Sequence, residues 1–508
     1  MRSTGVRTIT VVLRHGPFLR NLRSIARYRQ SRFLPQGVPP RVVSCMTSAR
    51  VAPPLSPPGP RNRYPGDLLR RFHGTFLGFM AAAVAEYGDV VGFSLAGARW
   101  AIVNDPERIR DILVTHQRSF AKGRALERAQ RVVGTGLLTS EGEFHLRQRR
   151  LAQPAFHRDR IAAYAEQMVV LATRTARGWR DGDTVDMHEE MMHLTLAVVS
   201  TTLFDANVDA ESDEIGEAVT TVLESFALIM LPFPGLMERL PLPFARRFRK
   251  ARTRLDETIY GIIAARRASG EDRGDLLSML LHATDAEGDG TGMSDRQLRD
   301  EVLTIFLAGH ETTANVLTFA WYLLAEHPEV AARLHAEVDA LGRVPTVADL
   351  PRLGYTRQVV AETMRLYPPA YAIGRRALED YRCGDYVLRK GTIVLVLPWL
   401  QQRDARWWPD PTRFDPDRWA AEQHTERPKF SYFPFGAGTR ICIGEQFAWT
   451  EAMLMLATLA QRWTASLVPG HPVALQPMIT LRPTHGMRMV LQARRTSDTT
   501  SARGPREP

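Results

Sequence analysis

Of the three cysteines in 508 residues, Cys45, Cys383 and Cys442, the last has the setting of a reactive group. It lies in FGAGTRICIG (435–444), with Phe435 seven positions before it and Arg440 two before. Gly436, Gly438 and Gly444 surround it. Glycines let backbone come close to a flat or bulky partner. Arg440 supplies a fixed cation beside an anion. A thiolate among backbone donors can serve as an axial metal ligand, and haem iron accepts one. Without this setting, a lone cysteine reads as a small buried hydrophobe. The spacings hold no CxxC knuckle. An odd, sparse set gives no disulfide framework, which fits a reducing compartment.

Other stretches carry chemistry-bearing types. AGHETT (308–313) puts a small-residue notch, Ala308-Gly309, beside an acid and a hydroxyl, Glu311 and Thr312. A zinc reading from His310-Glu311 needs histidine at 314, where Ala314 stands. In ETMR (362–365), Glu362 and Arg365 are three apart and share a helix face. At a surface such a pair is worth little. PTRF (411–414) follows with Arg413, then DPDRW (415–419). HLRQR (145–149) sets His145 and Arg149 four apart, which on plain reading is a solvated basic helix face. AIGRRALED brings Arg375 with Arg376 beside it.

FGAGTRICIG fits F-x-x-G-x-R-x-C-x-G at every specified position, and the other stretches occur in matching order. The chain therefore resembles the cytochrome P-450 haem-thiolate monooxygenases over roughly residues 55–495. The resemblance implies haem b, with Cys442 as iron ligand and Phe435 packed beneath it. It implies His145, Arg149, Arg375 and Arg440 as partners of the haem propionates. Glu311 and Thr312 would relay protons to dioxygen. Glu362, Arg365 and Arg413 would form a buried structural lock around the cysteine loop. By family position the pocket draws on the loop around 122–137, the 222–244 segment, Leu303, Phe306 and Ala308. Residues 370–373 (Ala370, Tyr371, Ile373) and Met478–Thr480 (with Ile479) complete it.

The implied reaction inserts one oxygen atom of O2 into a lipophilic small molecule. A terpenoid or other secondary-metabolite skeleton is expected, with fatty acid and polyketide open. No flavin or iron–sulfur segment is recognised in the chain, so a separate ferredoxin and its reductase are the expected electron donors. Gln402 stands where relatives often carry histidine, and Arg389 replaces a frequent proline. Two rival readings remain: a peroxide-driven peroxygenase, and a non-enzymatic haem-thiolate sensor or carrier.

These residues need elements to hold them. The longest candidate is a helix with N-cap Ser294 and Gln297 three residues on, running through AGHETT to the residues before His327-Pro328. At about 32 residues it exceeds an average helix almost threefold and should cross the core. Residues 89–103 read as a hairpin around Ala96-Gly97, and 386–397 as a strand pair turning at Lys390-Gly391. Long helical segments fill most of the rest. The expected class is mainly α with small β-sheets, an α+β arrangement. The resemblance places haem between the long helix and the cysteine loop.

One domain over 51–495 is expected, after a basic extension at 1–50 and before a disordered tail at 496–508. Phe18, Leu22 and Ile25 would share one helical face within the extension. A surface-seeking helix, a targeting segment, and a stretch upstream of a true start at Met46 all fit it. The proline-rich 51–66 should form an extended tether. The net charge of +11 resides there: residues 1–66 hold twelve arginines and no acid, which leaves the body nearly neutral. The high pI is thus no argument for nucleic-acid binding. Four lysines against 62 arginines point to a GC-rich bacterial genome, hence a bacterial cytoplasmic protein, expected as a monomer. No run of 18 apolar residues suggests a membrane span. FALIMLPFPGLM (226–237), an apolar candidate for the pocket, is broken by Pro232 and Pro234.

Overall fold

In the computed structural model, residues 55–204, 221, 243–285, 288, 290–420 and 427–494 are described. The extension at 1–50, the tail at 496–508 and the apolar stretch at 226–237 lie outside them. All described residues fall in one unit, Pro54–Pro508.

Helices α1 (Asp67–Gly74) and α2 (Phe76–Tyr87) precede a hairpin of β1 (Val90–Leu95) and β2 (Ala98–Val103). Next come β3 (Phe120–Lys122), α3 (Arg124–Val133), α4 (Gly142–Ala152) and α5 (Arg158–Gly178). Strand β4 (Thr184–Asp186) leads into α6 (Met187–Phe204). Helix α7 is Asp295–Glu326, and α8 is Gly354–Leu366. Strands β5 (Ile373–Ala377), β6 (Tyr381–Cys383), β7 (Tyr386–Leu388) and β8 (Ile393–Val396) follow. Helix α9 (Glu445–Ala460) opens the C-terminal part, with β9 (Trp463–Leu467), β10 (Leu475–Pro477), β11 (Leu481–Pro483) and β12 (Arg488–Ala493). The helices dominate and the sheets are small, as expected.

Helix α7 has the start and stop read from the sequence. Gln297 N donates to Ser294 Oγ at 3.3 Å, and Ser294 N donates back to Gln297 Oε1 at 2.8 Å. This reciprocal cap satisfies orphan amides of the first turn. The helix ends at His327, whose ψ of 76° is already non-helical before Pro328. Thirty-two residues span about 48 Å, and most of them are buried. One hydrophobic cluster packs α5, α6, α8 and α9 around the C-terminal half of α7. A second packs α4 and residues 248–280 around its N-terminal half.

The main sheet has the order β1-β2-β8-β5-β3. The hairpin turns at Ala96-Gly97, both at positive φ, as the sequence suggested. The expected pairing within 386–397 is wrong. β7 pairs with β6, while β8 runs between β2 and β5 in the main sheet. The Lys390-Gly391 turn exists, held by Asp380, which accepts from Lys390 N at 2.7 Å. However, all four β8 residues are buried, as in a strand covered on both faces, and it takes its place in the middle of the main sheet. The proline-rich lead-in is also not a free tether where it is described. Pro58 O accepts from Gly92 N at 2.7 Å, Leu55 bridges to Tyr386, and Pro60 is buried.

Candidate active site

Cys442 sits between a 3-10 turn, Gly438–Arg440, and the start of α9. Its amide donates to Phe435 O at 2.9 Å and closes the loop. Gly436 and Gly438 both have φ of 72°, a region that favours glycine. A Cβ at Gly438 would overlap the Leu113 carbonyl, and one at Gly436 would lie 3.7 Å from Ile373 Cδ1. Gly444, at φ −90°, serves instead as N-cap of α9. Phe435 packs into the large core, its ring centroid 6.1 Å from Trp449.

Cys442 is solvent-accessible. Burial raises its pKa, while the Gly444 amide and the Arg149 guanidinium pull it down. Helix N-termini and cations favour thiolate in this way. Cys383, by contrast, is buried in apolar packing, with its thiol pushed up to about 11.

A cation cluster borders the loop. His145 is buried on α4, and burial lowers its pKa to about 3, helped by Lys122, Arg440, Arg149 and Arg375. Arg375 is buried, donates to Gly374 O at 3.0 Å, and is lowered to about 10 by burial and by Arg440. Arg376 pairs with Glu127 at the surface, so Arg375 is the inward member of the two. Arg149 donates to Ile441 O at 2.7 Å, which ties α4 to the cysteine loop. Arg440 meets Glu141 and Ser140 O. Lys122 was missed from sequence. Its burial lowers it to about 7, and its amine donates to Leu137 O at 3.0 Å and to Leu138 O. The signal was available, since Lys122 is one of four lysines in an arginine-rich chain.

The second group of residues is in the middle of α7. Ala308 is exposed and Gly309 and Thr312 half-buried, although the helix around them is buried. Thr312 Oγ1 donates to Ala308 O at 2.7 Å. Glu311 is buried; burial raises its pKa, and a hydrogen bond with Thr480 opposes the rise. Asn315 Nδ2 donates to Thr480 Oγ1 at 3.1 Å. Two pocket segments named from sequence are pinned together: Tyr371 Oη donates to Met478 O at 2.7 Å, and Leu481 N to Pro369 O at 3.0 Å. Ala370, Tyr371, Ile373 and Ile479 present surface. Leu303 and Phe306 are buried in the second cluster, against which Ile443 and Ile479 pack. The 122–137 "loop" contains α3, a ten-residue helix. Of the 222–244 segment, only its last two residues are described.

The expected lock needs one correction. Arg365 donates to both Glu362 oxygens, at 2.8 and 2.7 Å, and both side chains are fully buried. Arg413 contributes only its carbonyl, which accepts from Arg365 at 3.0 Å; its side chain is exposed. The second cation at Glu362 is Arg418, at 3.4 Å. The chain turns at Asp410, at φ 46°, and carries Arg413 outward; the Pro416–Trp419 turn brings Arg418 and Trp419 inward. Gln402, set aside from sequence, is buried. It donates to the Met364 and Arg365 carbonyls and accepts from Phe433 N, linking α8 to the cysteine loop.

Among the described residues, no group of three or more His, Cys, Asp or Glu side chains converges as a metal site. A metal at Cys442 must therefore bring its other ligands with it, as a porphyrin does. Arg149 and Arg375 have no ion pair among the described residues, and partly buried cations call for a counter-charge that two carboxylates would supply. The residues fit haem. The family model for cytochrome P-450 matches residues 56–487.

The chain belongs to the cytochrome P-450 family.

Cyclooctatin synthase of Streptomyces melanosporofaciens is 40% identical over 404 residues, covering 79% of this chain and 88% of that one. Pentalenene oxygenase of Streptomyces avermitilis is 35% identical over 422 residues, with 82% and 93% covered. The crystal structure of the cytochrome P450DA heme domain superposes with a TM-score of 0.79 at 28% identity, covering 87% of this chain and 98% of that one. This cytochrome P-450 is a haem-binding monooxygenase with the fold of its family. Among its described residues no helix is long and apolar enough to cross a membrane.

Proposed function

We propose that this cytochrome P-450 oxygenates a terpenoid skeleton, with electrons from a separate ferredoxin and reductase. The observation that carries the reading is a pair of surfaces on the cysteine loop and on α7, tied through the cluster against which Ile443 and Ile479 pack. One holds an accessible thiol beside a cation cluster; the other holds an opened α7 notch beside apolar surface from Tyr371, Ile373 and Ile479. The names of the Streptomyces relatives support a terpenoid.

In this reading Cys442 holds the haem iron, and Phe435 fixes the loop behind it. His145, Arg149, Arg375 and Arg440, joined by Lys122, receive the propionates. Bound haem supplies the redox chemistry that cleaves dioxygen, and thiolate ligation favours that cleavage. The chain supplies the protons. Glu311, its pKa raised by burial, is suited to hold a proton at the inner end of the path, with Thr480 fixing its carboxyl. Thr312 Oγ1 is suited to pass it across the notch. Net uptake of protons with the electrons is what a peroxide-driven enzyme or a carrier does not require.

The test supplies sesquiterpene and diterpene hydrocarbons with a ferredoxin–reductase pair under labelled dioxygen. A product carrying one labelled oxygen is expected. Product formed from peroxide but not from dioxygen and electrons would establish the peroxygenase. Thr312→Ala is expected to keep electron consumption while peroxide replaces most of the product. Unchanged product yield would remove the proton role from Thr312.

A further inference from the structure

The eight residues between α3 and α4, GTGLLTSE (134–141), form a strap held by two buried acids. Asp300 on α7 accepts from Thr135 N at 2.8 Å and from Thr135 Oγ1 at 3.2 Å. Glu301 Oε2 accepts from Leu137 N at 2.9 Å. Lys122 donates to the Leu137 and Leu138 carbonyls from the other side. Both carboxylates are buried, Glu301 completely. Loops commonly run over the surface and satisfy their amides with water. A strap whose amides are satisfied by two buried acids is held in one place.

The two glycines allow the approach. Gly134 has φ of 77°, and a Cβ there would overlap the Asp300 carboxylate. At Gly136 a Cβ would overlap Thr304 Oγ1 and crowd the Asp300 carbonyl. Residues 301, 304, 308 and 312 share one face of α7. The strap therefore covers the N-terminal part of the face on which Ala308 and Thr312 open, and it stops at Thr304, about 6 Å along the axis from Ala308. Its far end reaches the cation cluster, where Ser140 O accepts from Arg440 at 3.1 Å.

We propose that Asp300 and Glu301 are positioning residues, which clasp the 134–138 strap onto α7 and thereby set the wall of the substrate side next to Ala308. Their carboxylates act through the strap amides and touch neither substrate nor haem. The inference deepens the monooxygenase reading and rests on it for the location of the substrate side.

The test uses the haem-loaded protein with two probes, imidazole and 4-phenylimidazole, titrated by the shift of the Soret band. Imidazole reports the iron alone; the phenyl ring also needs the wall. In Asp300→Ala and Glu301→Ala, 4-phenylimidazole affinity is expected to fall about tenfold, as leaving a buried strap amide unsatisfied implies. Imidazole affinity should stay within about twofold. Amide hydrogen exchange at Thr135 and Leu137 should quicken in the same variants. Glu301→Gln keeps an oxygen for the Leu137 amide and should retain both protection and affinity. It also serves where an alanine variant does not fold. Equal losses for both probes, unchanged exchange, or a glutamine variant as impaired as alanine would overturn the clasp. Failure of imidazole to perturb the wild-type Soret band would instead overturn the haem-site reading, while exchange at Thr135 and Leu137 would still test the clasp.

Discussion

Glu362 and Arg365 are the residues whose burial decides their value. The pair three apart was visible in ETMR, but its depth was not, because the same spacing serves on exposed helices. Both side chains are fully buried, and removing one partner leaves an uncompensated charge. Arg365→Ala should therefore destabilise by about 3–5 kcal/mol, read from the denaturation midpoint. Arg413→Ala should change it by no more than about 0.5 kcal/mol, as exposed positions do, and Arg418→Ala should lie between. An Arg413 variant as damaging as the Arg418 variant would contradict the reassignment. Of the residue types singled out, His145, Arg149, Arg375 and Arg440 lie close together beside the cysteine loop. The sequence could not supply partners made across long separations. Arg418 at Glu362, Thr480 at Glu311 and Lys122 beside His145 are brought together only by the fold.

Among elements, α7 was legible because its N-cap and stop signal agreed. The 386–397 strands were not, since strand identity is local but partner choice depends on which edges the core leaves open. The packing of α9 on α7 carries its own pH dependence. Glu451 on α9 is fully buried and faces Thr313 on α7; burial pushes it from 4.5 up to about 8. The folded protein thus holds a proton there that the unfolded chain releases. Its contribution to stability is fully present below about pH 4.5 and is lost as pH rises through 8. Glu451→Gln should remove this fall, so the variant gains on wild type in melting temperature between pH 5 and 9. A constant difference across that range would show that Glu451 is not the titrating group.

At the scale of the whole molecule, motifs far apart in the sequence are gathered around α7. The cysteine loop, the cation cluster and the α7 notch come from residues 122 to 480, and two hydrophobic clusters around α7 bring them together. Class and the long helix were readable because cap, turn and stop signals are local. The strap was not, because Gly134, Gly136, Asp300 and Glu301 have meaning only once placed against each other. The central claim is that this assembly presents Cys442 to haem iron as thiolate. The measurement that tests it most directly is the absorption spectrum of the purified protein, reduced and exposed to carbon monoxide. A strongly red-shifted Soret band is expected, and its loss in Cys442→His with haem retained. Haem without that shift in the wild-type protein, or no haem at all, would contradict the account.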